Sequence, residues 1–308
     1  MKGLDEAENL FFRHGLEFFR SRHPEIFPRL AFGLAGHGSE CFGFDDEISR
    51  DHDFTRGFAV WITAEDEARH GFELQRSYFA FLKEHFPETP DKGSKLGESE
   101  HGICRIGDFF ERHIGVPRAP QDWREWLYTP EYAFAEAVNG RVFLDNSGVF
   151  SSIRKQLADG MPEDVRLKKL AARAAVMAQS GQYNYMRCHR HGEPGAAGIA
   201  LADFVKNCVS FVFLLNRRYC PYYKWMFRAM RDLPVLGELV FPLEFLLDDP
   251  AGPEEKQKMI EDICFKLTEE LRRCGLSSSG DGYLEAHAFA MMKKIRNEQI
   301  RSLHIMEG

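Results

Sequence analysis

The chain has no run of about 18 uncharged apolar residues, the length a membrane span requires. Its most apolar stretch, CVSFVFLL at residues 208–215, is too short and reads as a buried helix. The opening text MKGLDEAENLFFRHGLEFF carries acids and no unbroken apolar segment, which is not how a secretory signal is built. Cysteine is sparse and scattered, seven residues in all without a CxxC pair, so reduced thiols in a cytoplasmic protein are expected. Basic residues are not in excess: the formal charge is −7, which argues against a broad surface for nucleic acid. No GxxxxGK[ST], GxGxxG or GxSxG occurs, and P-loop, dinucleotide and serine-hydrolase readings lose their support. Cys188, His189 and His191 lie too close together for the spacing of a structural zinc site, which is set aside.

What is present is enough for a packed core. Of the 308 residues, 44% are apolar and 27 are Phe, which suits well-filled helical and mixed cores. Apolar positions recur at helical spacing over residues 4–21, up to His23-Pro24. Leu30 to Ala35 is a short apolar strand, and Phe54 to Thr63 a second one beginning near Asp51. Ala64 to Phe86 follows as a helix offering Phe72, Leu74, Tyr78, Phe79, Phe81 and Leu82 to the core. After the polar turn text PETPDKGSKLGESEHG come a third strand, GICRIG, a helix from about Asp108, and a strand and turn in GRVFLDNSG. Helical text runs from Val149 onward, the last of it continuous from Tyr283. The expected fold is α+β: a mixed sheet with flanking helices over residues 1–150, then an all-helical bundle over residues 151–308.

The chemistry gathers in GHGSECFGFDDEISRDHDF, residues 36–54. If Asp51 and Asp53 stand on one strand, their side chains leave the same face about 7 Å apart and can share hard cations such as magnesium. Two such ions about 4 Å apart can clamp the entering and leaving oxygens of a phosphoryl displacement. Gly38 lets backbone amides approach a phosphate, and Ser39 adds a hydroxyl at a helix start. Asp45, Asp46 and Glu47 read as a solvated turn with helix-capping acids. His52 faces away from its two neighbours, and His37 stands where it can touch phosphate.

Gly38-Ser39, eleven residues and then Asp51-x-Asp53 resembles the signature of the polymerase-β-like nucleotidyltransferase superfamily. With NGRVFLDNSG, SGQYNYMRCHRHGE and FLLNRRYCPYYKW in this order, the chain also resembles a bacterial family labelled domain of unknown function 4037. Its C-terminal half is similar to the helical half of the kanamycin nucleotidyltransferases. The resemblance implies a nucleotidyltransferase that moves a nucleoside monophosphate from a nucleoside triphosphate to a hydroxyl acceptor, with two magnesium ions. It implies Asp51 and Asp53 as metal ligands and Gly38 and Ser39 as phosphate holders. A third carboxylate is expected on the next strand, which has none; Asp108 and Asp145 are the candidates, with Glu100 less well placed. Arg187 and Lys224, the latter among Tyr222, Tyr223 and Trp225, are the candidate cations for the triphosphate. Tyr183 and Tyr185 are candidates to stack a base. A small molecule or protein is preferred to RNA as acceptor, without a membrane. The alternatives are a nucleotide-binding regulator of the same fold and a toxin-like transferase.

Overall fold

The computed structural model describes residues 2–47, 57–87, 101–248 and 250–308. Asp51, His52, Asp53 and Glu100 lie outside them. The chain divides into two compact units: residues 1–121 with 132–159, and residues 122–131 with 160–308.

The first unit is built on a four-stranded sheet of β1 (Ala31–Leu34), β2 (Ala59–Ile62), β3 (Gly102–Arg105) and β4 (Arg141–Asp145), in the order β3-β2-β1-β4. β1 pairs antiparallel with β2, Phe32 opposite Val60, and antiparallel with β4, with an irregularity between Phe32 and Gly33. β2 and β3 are parallel, and the Ala64–His85 helix stands in the link that such a pair requires. Side chains alternate between two buried faces. Phe32, Val60 and Ile62 join a core with Phe11, Phe19, Phe58 and Phe81. On the other face the Trp61 ring stacks on Phe150 with centroids 3.8 Å apart and meets Phe109 edge-on.

Thr63 caps the Ala64–His85 helix by accepting from the Asp66 amide, and acids fill its first turn. Leu74, Tyr78 and Phe81 are its buried stripe, at i, i+4 and i+7. Phe72 and Phe79, expected in the core, are 80% and 56% exposed because they fall off that stripe. Among the described residues β2 runs over Ala59–Ile62. Gly57 turns the chain at φ 137, and the buried Tyr78 hydroxyl donates to the Phe58 carbonyl and accepts from its amide. The alternation argument for Asp51 and Asp53 falls on residues outside those described.

The second unit is helical, as expected. Its core helix Glu163–Met177, continued by a π-helical stretch Ala178–Tyr185, packs against Pro194–Leu215 and Leu284–Met292. Pro194–Leu215 is long and apolar enough by length and composition to cross a membrane, an exception to the reading that no segment comes near this. Within the unit its residues from Cys208 to Leu214 are buried. The short helix Trp123–Tyr128, with buried Trp126 and Leu127, packs on Glu163–Met177. The expected continuous last helix is broken after Met292; Asn297 caps a separate turn, Glu298–Arg301, by accepting from Gln299 and Ile300 amides.

Candidate functional site

The turn after β1 is shaped by its own backbone. Gly36 leaves the strand at φ 128 and is held from both sides by Asn139: the Gly36 amide donates to Oδ1 at 2.9 Å, and Nδ2 donates to the Gly36 carbonyl at 2.7 Å. Gly38 and Ser39 then lead into a single 3-10 turn, Glu40–Phe42, closed by Gly43 at φ 68. The Gly38 carbonyl accepts from the Cys41 amide, and the Ser39 carbonyl from the Phe42 and Phe44 amides. The Glu40 carboxylate folds back over Gly38, so that a Cβ at position 38 would come within 2.2 Å of Oε1. The amide of Gly140 donates to the Cys41 carbonyl at 2.8 Å, tying the turn to the start of β4.

The acidic run beyond the turn is not all solvated. Asp45 is 3% exposed and takes the Gly3 amide at 2.9 Å, capping the first helix, with Lys2 alongside. Asp46 and Glu47 are exposed.

His37, read from sequence as a phosphate contact, meets two residues that the sequence did not single out. Its Nδ1 lies 2.7 Å from Glu136 Oε2, and His113 Nδ1 lies 3.4 Å from the same oxygen. The two imidazole rings are 4.6 Å apart. His113 comes from the last turn of the Ile106–Ile114 helix and packs edge-on against Phe109. Glu136 comes from the Glu131–Val138 helix, whose final carbonyls at Ala137 and Val138 accept from the Arg154 guanidinium. Burial alone would raise the Glu136 carboxyl, but hydrogen bonds from His113 and His37 overcome it and bring its pKa to about 2. Among the described residues this is the one group of three or more His, Cys, Asp or Glu side chains whose donor atoms converge closely enough for a metal ion. One signal was available: Glu136 is the single charge in Ala133–Val138. Nothing in sequence joins it to His113 or His37.

Two candidate third carboxylates, Asp108 and Asp145, are among the described residues. Asp145, at the end of β4, accepts from the amides of Gly148 and Ser151 at 2.8 Å each, capping the Val149–Ala158 helix. Asp108 is exposed in a first helical turn, 3.9 Å from Arg105. Asp51 and Asp53, the pair that either would join, lie outside the described residues. In the second unit Arg187 lies over the Tyr183 ring at 5.6 Å. Both line an open cleft of about 370 Å³ with Arg190, His191 and Gln257. Tyr185 is buried and presents no free face for a base. Lys224 is exposed in the first turn of Tyr223–Met230, beside equally exposed Tyr222 and Tyr223, and not enclosed by them.

Residues 126–226 match the model of a family described as Domain of unknown function (DUF4037), so the family resemblance is met over that segment. No curated protein matches the chain in sequence. The crystal structure of a nucleotidyltransferase-like protein from Exiguobacterium sibiricum 255-15 is similar to it with a TM-score of 0.40 and 10% identity. That similarity spans 92% of this chain and 81% of the other.

Proposed function

We propose that the chain transfers a nucleoside monophosphate from a nucleoside triphosphate to a hydroxyl acceptor. One observation carries this reading. β1 and β2 are antiparallel neighbours, and the segment joining them holds both halves of the motif, Gly38-Ser39 directly after β1 and Asp51-x-Asp53 ahead of β2. Phosphate-holding amides on one strand exit and carboxylates on the approach to the adjacent strand form one functional segment. Asp51 and Asp53 would hold magnesium, which supplies charge neutralisation on the phosphates.

The acceptor oxygen attacks the α-phosphorus in line. A new P–O bond forms there, the bond to the bridging oxygen of the β-phosphate breaks, and pyrophosphate leaves with the electron pair. The acceptor proton passes to solvent or a base. The turn at Gly38 and Ser39 orients the triphosphate so that attack and departure lie on one line, a contribution of position more than of covalent chemistry. The net charge of −7 favours a small molecule or a protein side chain over RNA as acceptor.

The test is to supply magnesium and each of the four α-labelled ribonucleoside triphosphates, with and without cell extract, to the chain and to its Asp51→Ala, Asp53→Ala double variant. Label transfer with pyrophosphate release, absent in the double variant, is the expected result. A second reading is favoured by the strand Gly102–Arg105, which carries no carboxylate where a third metal ligand is expected. It is a regulator that binds a triphosphate and does not cleave it. Magnesium-dependent binding without pyrophosphate release would select it and overturn transfer.

A further inference from the structure

We propose that His37, His113 and Glu136 form a binding site for a borderline transition metal ion, zinc by preference. Three separate elements bring these side chains to one point: the turn after β1, the end of Ile106–Ile114 and the body of Glu131–Val138. Their donor atoms all lie within 4.8 Å of one another. Bonds of about 2.0–2.2 Å to a tetrahedral zinc place neighbouring donors roughly 3.3 Å apart. The two contacts to Glu136, 2.7 and 3.4 Å, bracket that separation, and the remaining donor pair lies within 4.8 Å, so the ion would draw the two imidazoles around it.

The donor types select the ion. Two imidazoles with one carboxylate suit zinc, and by the same chemistry cobalt or nickel. Magnesium takes oxygen ligands and keeps its waters, so this donor set selects a different ion from the one expected at Asp51 and Asp53. Three protein ligands leave a fourth position, as zinc sites that act on water or substrate do. The His37 side chain is 55% exposed and opens the site to solvent, whereas His113 is fully buried and Glu136 8% exposed.

The surroundings hold the ligands in place. Asn139 clasps Gly36, next to His37; Arg154 secures the end of the helix bearing Glu136; Phe109 lies against the His113 ring. Such support from outside the ligand set is what fixes a metal site in advance of the ion. Because His37 is the residue before Gly38, an ion here also anchors the turn that carries Gly38 and Ser39. The site does not depend on nucleotide transfer.

Metal-stripped full-length chain should be titrated with Zn²⁺ against a chromophoric chelator, and separately with Co²⁺ while its visible absorption is followed. One equivalent of zinc is expected, with cobalt bands that zinc abolishes. His37→Ala, an exposed change that leaves the core untouched, and Glu136→Gln, which keeps shape and removes charge, should each weaken zinc binding by more than about 100-fold with unchanged circular dichroism. Millimolar magnesium should leave the zinc in place. A parent chain that takes up no zinc overturns the site, as does zinc bound equally well by both variants, or displaced by magnesium.

Discussion

Gly140 and Gly38 both border the turn after β1, yet they are glycines for different reasons. Gly140 turns into β4 at φ 64, and a Cβ there would stand 2.0 Å from the Leu34 carbonyl oxygen. Both obstacles are backbone, so Gly140→Ala should lower stability by at least about 1–3 kcal/mol in urea unfolding. At Gly38 the three atoms nearest a Cβ all belong to the Glu40 carboxylate, the far end of a side chain that can swing aside. Gly38→Ala should therefore stay within about 0.5 kcal/mol of the parent in stability. It should weaken triphosphate binding about tenfold, 1.4 kcal/mol, if close backbone approach to phosphate is what the position serves. A loss of stability without a change in binding would assign Gly38 to the fold alone. The turn at Gly38 and Ser39 was legible because glycine and serine follow one another just after an apolar strand. His113 and Glu136 were not, because a convergence of three elements leaves no spacing to read. Asp45 misled as a solvated acid: its burial depends on the helix it caps, some forty residues earlier.

At the scale of elements, helices meet through polar groups as well as apolar stripes. Glu131 opens the Glu131–Val138 helix and pairs with Lys169 and Arg173 of Glu163–Met177, each at 3.2 Å. Burial would raise its carboxyl, yet the two cations outweigh that and hold it below the ordinary value. The Lys169 side chain is 2% exposed and its ammonium also donates to the Thr129 carbonyl. Glu131→Ala leaves that charge buried and should destabilise the second unit by about 3–5 kcal/mol, read by denaturant midpoint. Adding Lys169→Met should recover part of the loss, since it removes the more deeply buried cation while Arg173 keeps the Ser210 hydroxyl and the Gly308 carbonyl; no recovery would show that the stranded Lys169 charge is not the cause of the loss. The strands Ala31–Leu34 and Arg141–Asp145 were legible to within a residue or two because short apolar text there is bounded by turn residues. The last helix was misread because its apolar spacing persists through a break. Asp164 accepts the amides of Arg296 and Asn297, and the capping asparagine was the overlooked signal.

Across the whole molecule, the chain leaves the first unit at residue 122, contributes a short helix to the second, and returns at residue 132. Composition gave no notice of this excursion, because Trp126 and Leu127 look like core residues of either unit. A chain ended after Asp159 retains them but lacks Glu163–Met177, against which their helix packs. It should bind a hydrophobic dye and associate in solution, and exchanging Trp126 and Leu127 for polar residues should relieve both. A truncated chain that stays monomeric and dye-free would show that this helix finds other cover. The sheet order has a consequence for synthesis. β1 lies between β2 and β4, and β4 begins only at Arg141, more than a hundred residues after β1 ends at Leu34. At 5–20 residues per second a ribosome takes on the order of 5–20 s to cover that distance. Throughout that interval one edge of a buried, phenylalanine-bearing strand has no partner from its own chain, and it is then that the nascent protein is most open to pairing with a neighbour on the same message.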